Sequence, residues 1–181
     1  MSSTVKIFAK TERLILRQWK HEDLPTFVAM NSNPEVMRYF PEPLTEAETR
    51  AFYDRIQIEF ERMDWGLYAV ELKSTGSFIG YVGLHEIGFN ADFTPGVEIG
   101  WRLDADYHNQ GLATEAATKV LELAEGFGFE KIYSFTAVVN KPSERVMQKI
   151  GMKKTGEFDH PKLSSDSPLL RHVLYQIEFP S

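Results

Sequence analysis

Residues 97–118 read VEIGWRLDADYHNQGLATEAAT, and their character changes twice along the stretch. Alternating apolar and polar residues over 97–103 predict a strand. A short polar turn follows, and from Leu112 an alanine-rich run predicts a helix. The turn holds His108, Asn109, Gln110, Gly111, Leu112 and Ala113. Gly111 has no Cβ to stand in a ligand's way, and Ala113 keeps the first helical turn thin. An anion at this turn meets unpaired N–H groups and the positive end of the helix dipole. The stretch therefore has the means to grip a pyrophosphate. It is neither a GxGxxG nor a P-loop pattern, so neither of those binding modes follows from it. A strand, turn and helix with a single glycine also occurs in many mixed α/β domains that bind no phosphate.

Outward from this stretch the chain divides into short elements. Upstream, residues 14–17 (LILR) alternate as a first strand. Asp23 is placed to cap a short helix with Pro25 in its first turn and Leu24, Phe27 and Val28 on its buried face. Thr45 and Glu48 form a capping box that opens a longer helix, in which Phe52, Ile56, Phe60 and Met63 recur at helical spacing. Residues 67–72 and 78–84 are β-type runs around a Lys73-Ser74-Thr75-Gly76 hairpin turn. Downstream, Gly126 and Gly128 stop the alanine-rich helix, and residues 132–139 are β-branched and aromatic, as in a buried strand. Asn140-Lys141-Pro142-Ser143 opens a short helix that turns Val146, Met147 and Ile150 inward and ends at Gly151. Two last strands, 152–158 and 173–179, flank the loop DHPKLSSDSPLL. The order β-α-α-β-β-β-α-β-α-β-β predicts an α/β fold, with a central mixed sheet of about seven strands and helices on both faces. No repeat, low-complexity tract or linker interrupts it, so residues 1–181 are expected to form a single domain.

Composition narrows the function classes. With 43% hydrophobic and 25% charged residues in 181, the chain is an ordinary globular one. A net charge of −6 argues against a nucleic-acid partner, which needs a basic stripe, and is compatible with a cationic substrate. The chain has no cysteine. Disulfides, Cys-ligated zinc and a Cys nucleophile are therefore excluded, and a reducing, cytoplasmic setting fits. The opening MSSTVKIFAKTERLILRQWK carries no long apolar run or cleavable-signal pattern, and no segment approaches a membrane span. No membrane partner is expected.

With this order and these residues, the chain resembles the GNAT superfamily of acetyl-CoA-dependent N-acetyltransferases. Within it the chain is most similar to the RimJ/RimL-like branch, which acetylates protein N termini, those of ribosomal proteins included. The segments that carry the resemblance are TERLILRQW, VEIGWRL, YHNQGLATEA, VVNKPSERVMQKIGM and HPKLSSDSPLLRHVLY. It implies the GNAT fold, acetyl-CoA as cosubstrate and no metal. The superfamily's turn motif (Gln or Arg, two residues, Gly, one residue, then Gly or Ala) maps onto His108, Gly111 and Ala113. His108 departs from the preferred Gln or Arg, and taken alone it is an ordinary surface turn residue. By the same resemblance, Asn109, Gln110, Gly111, Leu112, Ala113 and Thr114 hold the pyrophosphate through main-chain N–H groups. The family splays the strand before this turn from the strand after the helix, and the pantetheine arm inserts there; Trp101 and Leu103 would offer it main-chain contacts. Asn140 matches the family's Asn at the end of the second strand, which bonds the pantetheine. It is equally well suited to cap the helix that follows.

The implied chemistry is attack of a neutral amine on a thioester, and without Cys the simplest route is direct transfer. Glu98 is the candidate base, because partial burial in its strand raises a carboxyl pKa toward a useful range; an exposed strand carboxylate is the plain alternative. Glu86 is a second choice. A main-chain N–H around 99–101 meets the oxyanion. Many GNAT enzymes carry a Tyr where this chain has Met147. In the RimJ/RimL branch a Ser near the start of the same helix assists the leaving thiolate, and Ser143 matches it, although it also suits a plain helix start. Tyr133 and Tyr175 are substitutes. A lysine amine with a pKa of about 10.4 is neutral about once in a thousand at pH 7, an α-amine near 8 about once in ten. Modest acid–base equipment therefore favours a peptide N terminus as the amine acceptor. The alternatives are a small amine (polyamine, amino sugar or antibiotic) and a non-catalytic acyl-CoA-binding protein; a homodimer is compatible with each. His85-Glu86 lacks the second His of a zinc HExxH motif. Tyr39, Phe40, Trp65 and Phe135 either line an acceptor pocket or fill the core.

Overall fold

The computed structural model describes residues 5–180. In chain order the elements are β1 (Ile7–Lys10), β2 (Leu14–Arg17), α1 (Leu24–Ser32), α2 (Glu46–Met63), β3 (Leu67–Leu72), β4 (Phe78–Glu86), β5 (Val97–Leu103), α3 (Leu112–Gly126), β6 (Lys131–Ala137), α4 (Lys141–Lys149), β7 (Lys153–Asp159) and β8 (Arg171–Glu178). They build one eight-stranded sheet in the order β1-β2-β3-β4-β5-β6-β8-β7. Every neighbouring pair is antiparallel except β5 and β6, which are parallel. No helix among the described residues is long and apolar enough to cross a membrane.

The sheet has one strand more than the expected seven. The addition is β1, four residues at the sheet's edge that pair only with β2, through a register shift between Ile7 and Ala9. Its IFAK sequence buries no regular face, so it lacks the period-two signal that marks a half-buried strand.

Two cores form, one on each side of the sheet. On one side α3 contributes Leu112, Ala116, Ala117, Val120, Leu121 and Ala124, and α4 contributes Met147 and Ile150, packed on Ile79, Leu84, Ile99, Leu103 and Ile132. Full burial of each large aliphatic side chain contributes about 1.5–3 kcal/mol, while the alanines let α3 lie close to the strands. On the other side Phe27 and Met30 of α1 and Ile56 of α2 pack on Leu67, Ala69, Phe78 and Tyr81. β4 changes face at Ile79, an extra residue against β3 (Val70 pairs with Gly80, Glu71 with Phe78). That bulge puts Tyr81 on the α1–α2 side.

Local signals set the helix starts unevenly. Thr45 and Glu48 make the expected capping box, with Thr45 Oγ1 accepting from the Glu48 amide and Glu48 Oε1 from the Thr45 amide. Asp23, expected to cap α1, makes no such bond. Its carboxylate takes two bonds of 2.9 Å from the Arg17 guanidinium and one of 2.8 Å from the Lys20 amide. Arg17 and Asp23 are both buried, and Arg17 Nε also donates to Glu71 of β3 at 2.8 Å. A charged partner outcompetes the helix amides because a buried guanidinium left alone costs far more than an uncapped turn. Arg17→Met strands two carboxylates. It is expected to lower unfolding free energy by about 3–5 kcal/mol, read from urea denaturation, with the Arg17→Met/Asp23→Leu pair recovering most of the loss.

Candidate active site

The parallel pair β5–β6 is joined at a single register point, Glu98 opposite Tyr133. The Ser134 hydroxyl donates to the Ile99 carbonyl at 3.0 Å, and beyond it the two strands part. On its other edge β5 is fully paired with β4 from Val97 to Leu103. Bonds from the Asp104 amide to the Ile79 carbonyl and from the Ile87 amide to the Gly96 carbonyl fix the phase of that ladder. Because an antiparallel ladder alternates, Glu98, Gly100 and Arg102 aim their main-chain groups at β4. Trp101 and Leu103 aim theirs into the parting. The two following helices both begin at the carboxyl ends of this pair, α3 after β5 and α4 after β6, which is where open α/β sheets form their crevices.

The turn into α3 is built to leave amides free. Asn109 and Gly111 are both left-handed, at φ 60° and 77°, and Gly111 stands at the cap position with no side chain to bond the first amides. The first helical bond is from the Glu115 amide to the Gly111 carbonyl, so the amides of Leu112, Ala113 and Thr114 have no intrahelical acceptor. His108 Nε2 lies 2.8 Å from the Leu103 carbonyl. This bond draws the turn onto the end of β5 and occupies the Leu103 oxygen, leaving the Leu103 N–H and both Trp101 groups for the parting. The Gln110 side-chain amide donates to the Asp106 carbonyl at 2.8 Å. Arg13 lies beside the turn: its Nη1 donates to the Gln110 carbonyl at 3.0 Å and its Nε to Glu115 at 2.8 Å. The Glu115 carboxylate balances that cation, so the pair ties the start of β2 to the turn and the anion-directed pull at this end comes from the free amides.

Glu98 is half-buried and has an unforeseen partner. His85 lies directly across β4–β5 from it, with Nδ1 3.6 Å from Glu98 and Nε2 3.4 Å from Glu59 of α2. The imidazole sits between two carboxylates, and the nearby charges of Glu59 and then Glu98 lift its pKa to about 10. Burial pushes the Glu98 carboxyl up, with His85 pulling the other way. Glu86, the second choice, is exposed at the end of β4.

At α4, the Asn140 Oδ1 accepts from the Ser143 amide at 3.3 Å and its Nδ2 donates to Thr136 at 2.9 Å, so the capping role is present. Ser143 is half-buried in the first turn and Met147 fully buried one turn on. The Tyr175 hydroxyl donates a hydrogen bond to Glu144 at 2.7 Å, and burial, then this bond, holds its pKa above the usual phenol value. Tyr133 shares the face of Glu98 and packs on Phe93. Phe135 joins an aromatic group of Phe89, Phe158 and His160. Phe40 lies over Arg102, whereas Trp65 packs on Phe129, away from these residues. Among the described residues no cluster of three or more His, Asp or Glu is placed to hold a metal ion.

An acetyltransferase (GNAT) domain model matches residues 13–153. The chain belongs to the GNAT family of acetyltransferases. The uncharacterized N-acetyltransferase YnaD of Bacillus subtilis is 31% identical over 150 residues, covering 82% of this chain and 84% of that protein. A GNAT acetyltransferase structure from Bacillus anthracis superposes with a TM-score of 0.74 at 28% identity, covering 93% of this chain and 96% of the other. RimL, a ribosomal alpha-N-protein acetyltransferase, solved in complex with coenzyme A, superposes at 0.79 with 15% identity, covering 96% and 98%. In this GNAT enzyme, then, Trp101, Leu103, His108 and residues 109–114 follow one another along β5 and the turn after it, Asn140 and Ser143 stand at the start of α4 after β6, and Glu98 stands at the one register point of the pair. Sequence reasoning missed Arg13 and the His85–Glu59 pair. The TERL and ATEA segments held one signal, the opposite charges of Arg13 and Glu115.

A histidine raised from 6.5 to about 10 stabilises the fold fully below about pH 6.5 and loses that contribution as pH climbs through 10. Wild-type melting temperature is therefore expected to fall across this window more steeply than that of His85→Gln, measured by scanning calorimetry at matched ionic strength.

Proposed function

We propose that this acetyltransferase uses acetyl-CoA and transfers the acetyl group directly to a primary amine, most simply a peptide N-terminal α-amine in the manner of the RimJ/RimL-like branch. The observation that carries the proposal is the pairing of an uncapped α3 N terminus with the parting of β5 from β6. The free amides of residues 112–114, with Arg13 beside them, suit a pyrophosphate. The Trp101 main-chain groups and the Leu103 N–H suit the amide-rich pantetheine arm, which pairs as a strand would. RimL's coenzyme A complex supports the same reading by likeness of fold. We read residues 1–181 as one cytoplasmic catalytic domain; the absence of cysteine fits that setting.

The donor supplies an activated thioester carbonyl. This chain's residues then have three tasks. Glu98 takes the amine proton, directly or through a water, and its burial-raised pKa suits it to hold that proton. His85, fixed by Glu59, orients the Glu98 carboxylate and keeps negative charge from accumulating at the base of the site. A main-chain N–H near Trp101 meets charge developing on the carbonyl oxygen. As the C–N bond forms and the C–S bond breaks, the Ser143 hydroxyl at the first turn of α4 stabilises the departing sulfur, which takes its proton from solvent. Asn140 holds that turn in place through its bond to the Ser143 amide.

Thiol release from acetyl-CoA across peptides, polyamines and amino sugars tests this, and a protein without Cys gives no background with a thiol dye. Turnover on peptides is expected. Glu98→Gln should reduce kcat by about 10²–10⁴-fold while leaving KM for acetyl-CoA unchanged. Turnover confined to small amines would refute the peptide acceptor, and an undiminished Glu98→Gln rate would remove Glu98 as the base.

A further inference from the structure

Glu98, Gly100 and Arg102 share the face of β5 that looks toward α1 and α2, since side chains alternate along a strand, and Arg102 lies directly across from Tyr81, which belongs to that side's core. A Cβ added at Gly100 would meet nothing within 4 Å, so the floor between the two charged residues is open. At one end stands the carboxylate proposed to take the amine proton. At the other stands a guanidinium in an unusual position.

Arg102 is 9% exposed, yet no carboxylate among the described residues forms an ion pair with it. Its Nη1 donates to the Asn31 side-chain oxygen at 3.0 Å, and its Nε, fully buried, has no partner among the described residues. The rest of its surroundings are aromatic, with ring centroids at 4.5 Å (Phe40), 5.4 Å (Tyr81) and 5.9 Å (Phe52). Ring faces and one neutral amide compensate a buried cation only in part. Arg17 shows how this fold treats a cation that serves structure alone, with Asp23 and Glu71 both bonded to it. Arg102 is held as firmly. Asn31 Nδ2 also donates to Thr49 of α2, and the Asn31 main-chain carbonyl accepts from the Leu44 amide. The guanidinium is thus fixed in place with bonding capacity left over.

We infer that Arg102 binds an anion on the acceptor, so that the amine substrate carries a carboxylate lying across the open Gly100 floor from its reacting nitrogen. This deepens the proposed acetyl-transfer reading and rests on it for the position of the amine. Glu98 and Arg102 are four residues apart, about 13 Å between α-carbons. That span exceeds the reach between the amine and carboxylate of one amino acid, so the matching acceptor is a peptide with an acidic residue close to its free N terminus. A free amino acid's α-carboxylate is the other source of the same group. Phe40, 40% exposed, lies over the guanidinium and would shield the new ion pair from water, which strengthens it.

Matched acceptors test the inference: peptides differing only as Glu or Gln in their second or third residue, and free amino acids against their amides. The assay is thiol release, and calorimetry measures binding of the corresponding N-acetylated peptides without acetyl-CoA. Wild type is expected to favour the acidic peptide over its amide twin by about tenfold or more in both assays, as a charged hydrogen bond predicts. In Arg102→Gln both ratios should fall to about one. A second variant, Asn31→Asp, puts a carboxylate beside the guanidinium in the ligand's place and should abolish the preference too, which covers the case of a poorly folded Arg102→Gln. A preference shown by free amino acids and not by peptides would overturn the peptide assignment. A wild-type ratio near one, or a preference that survives in both variants, would overturn the role of Arg102. If no acceptor turns over, the acetyl-transfer reading fails, and the calorimetric ratio still decides Arg102.

Discussion

The parting of β5 from β6 is the constraint on which the rest of the site depends. A parallel pair inside a sheet ordinarily pairs along its length, and leaving main-chain groups unpaired costs free energy. Here the pair is limited to Glu98 opposite Tyr133. Flanking interactions hold the strands apart past that point: the β4 ladder on one side, the β8 ladder on the other, and α3 packed beneath with small residues. A structure that maintains unpaired strand edges by surrounding them with well-formed ones is prepared for an extended, amide-bearing ligand. The turn into α3 sits at the same end because β5 runs directly into it, so one strand delivers both unpaired main-chain groups and an uncapped helix start.

Charge is distributed over the α1–α2 side with corresponding economy. Arg17 is closed off by two carboxylates and ties β2 to the start of α1 and to β3. His85 is shared by Glu59 and Glu98, linking α2 to the base of the site. Arg102 alone is buried without a counter-charge among the described residues. The three differ in what they do for the fold. The first supports it, the second supports it while lowering the proton affinity of the carboxylate proposed as the base, and the third leaves a binding capacity unspent. A buried charge without a counter-charge breaks a local rule, and functional sites are the places where folds break such rules.

Legibility in the sequence followed the range of the interaction. The capping box of Thr45 and Glu48 spans three residues and was visible. So was the α3 turn, where Gly111 takes the left-handed conformation and no side chain caps the helix. Alternation, β-type composition and turn residues together located seven of the eight strands, and the edge strand β1 escaped because it buries no regular face. Asp23 was misread as a cap because its true partner, Arg17, lies six residues back on another element and is the stronger competitor for its carboxylate. His85 opposite Glu98 depends on register across a long connection, and Arg13 against Glu115 joins residues 102 apart. Neither spacing carries a periodic signal. Arg102 looked like the polar half of an alternating strand; only the packing of α1 and the Phe40 segment over it revealed a buried cation.

On the proposed reading, acetyl-CoA occupies the parting and the α3 turn together. Backbone hydrogen exchange, resolved by residue with and without acetyl-CoA, tests this most directly. The ligand is expected to slow exchange at the amides of Trp101 and Leu103 and at those of residues 111–114, while the already paired amides of β4 change little. Binding that protects the α3 turn and leaves Trp101 and Leu103 untouched, or that protects neither, would contradict it.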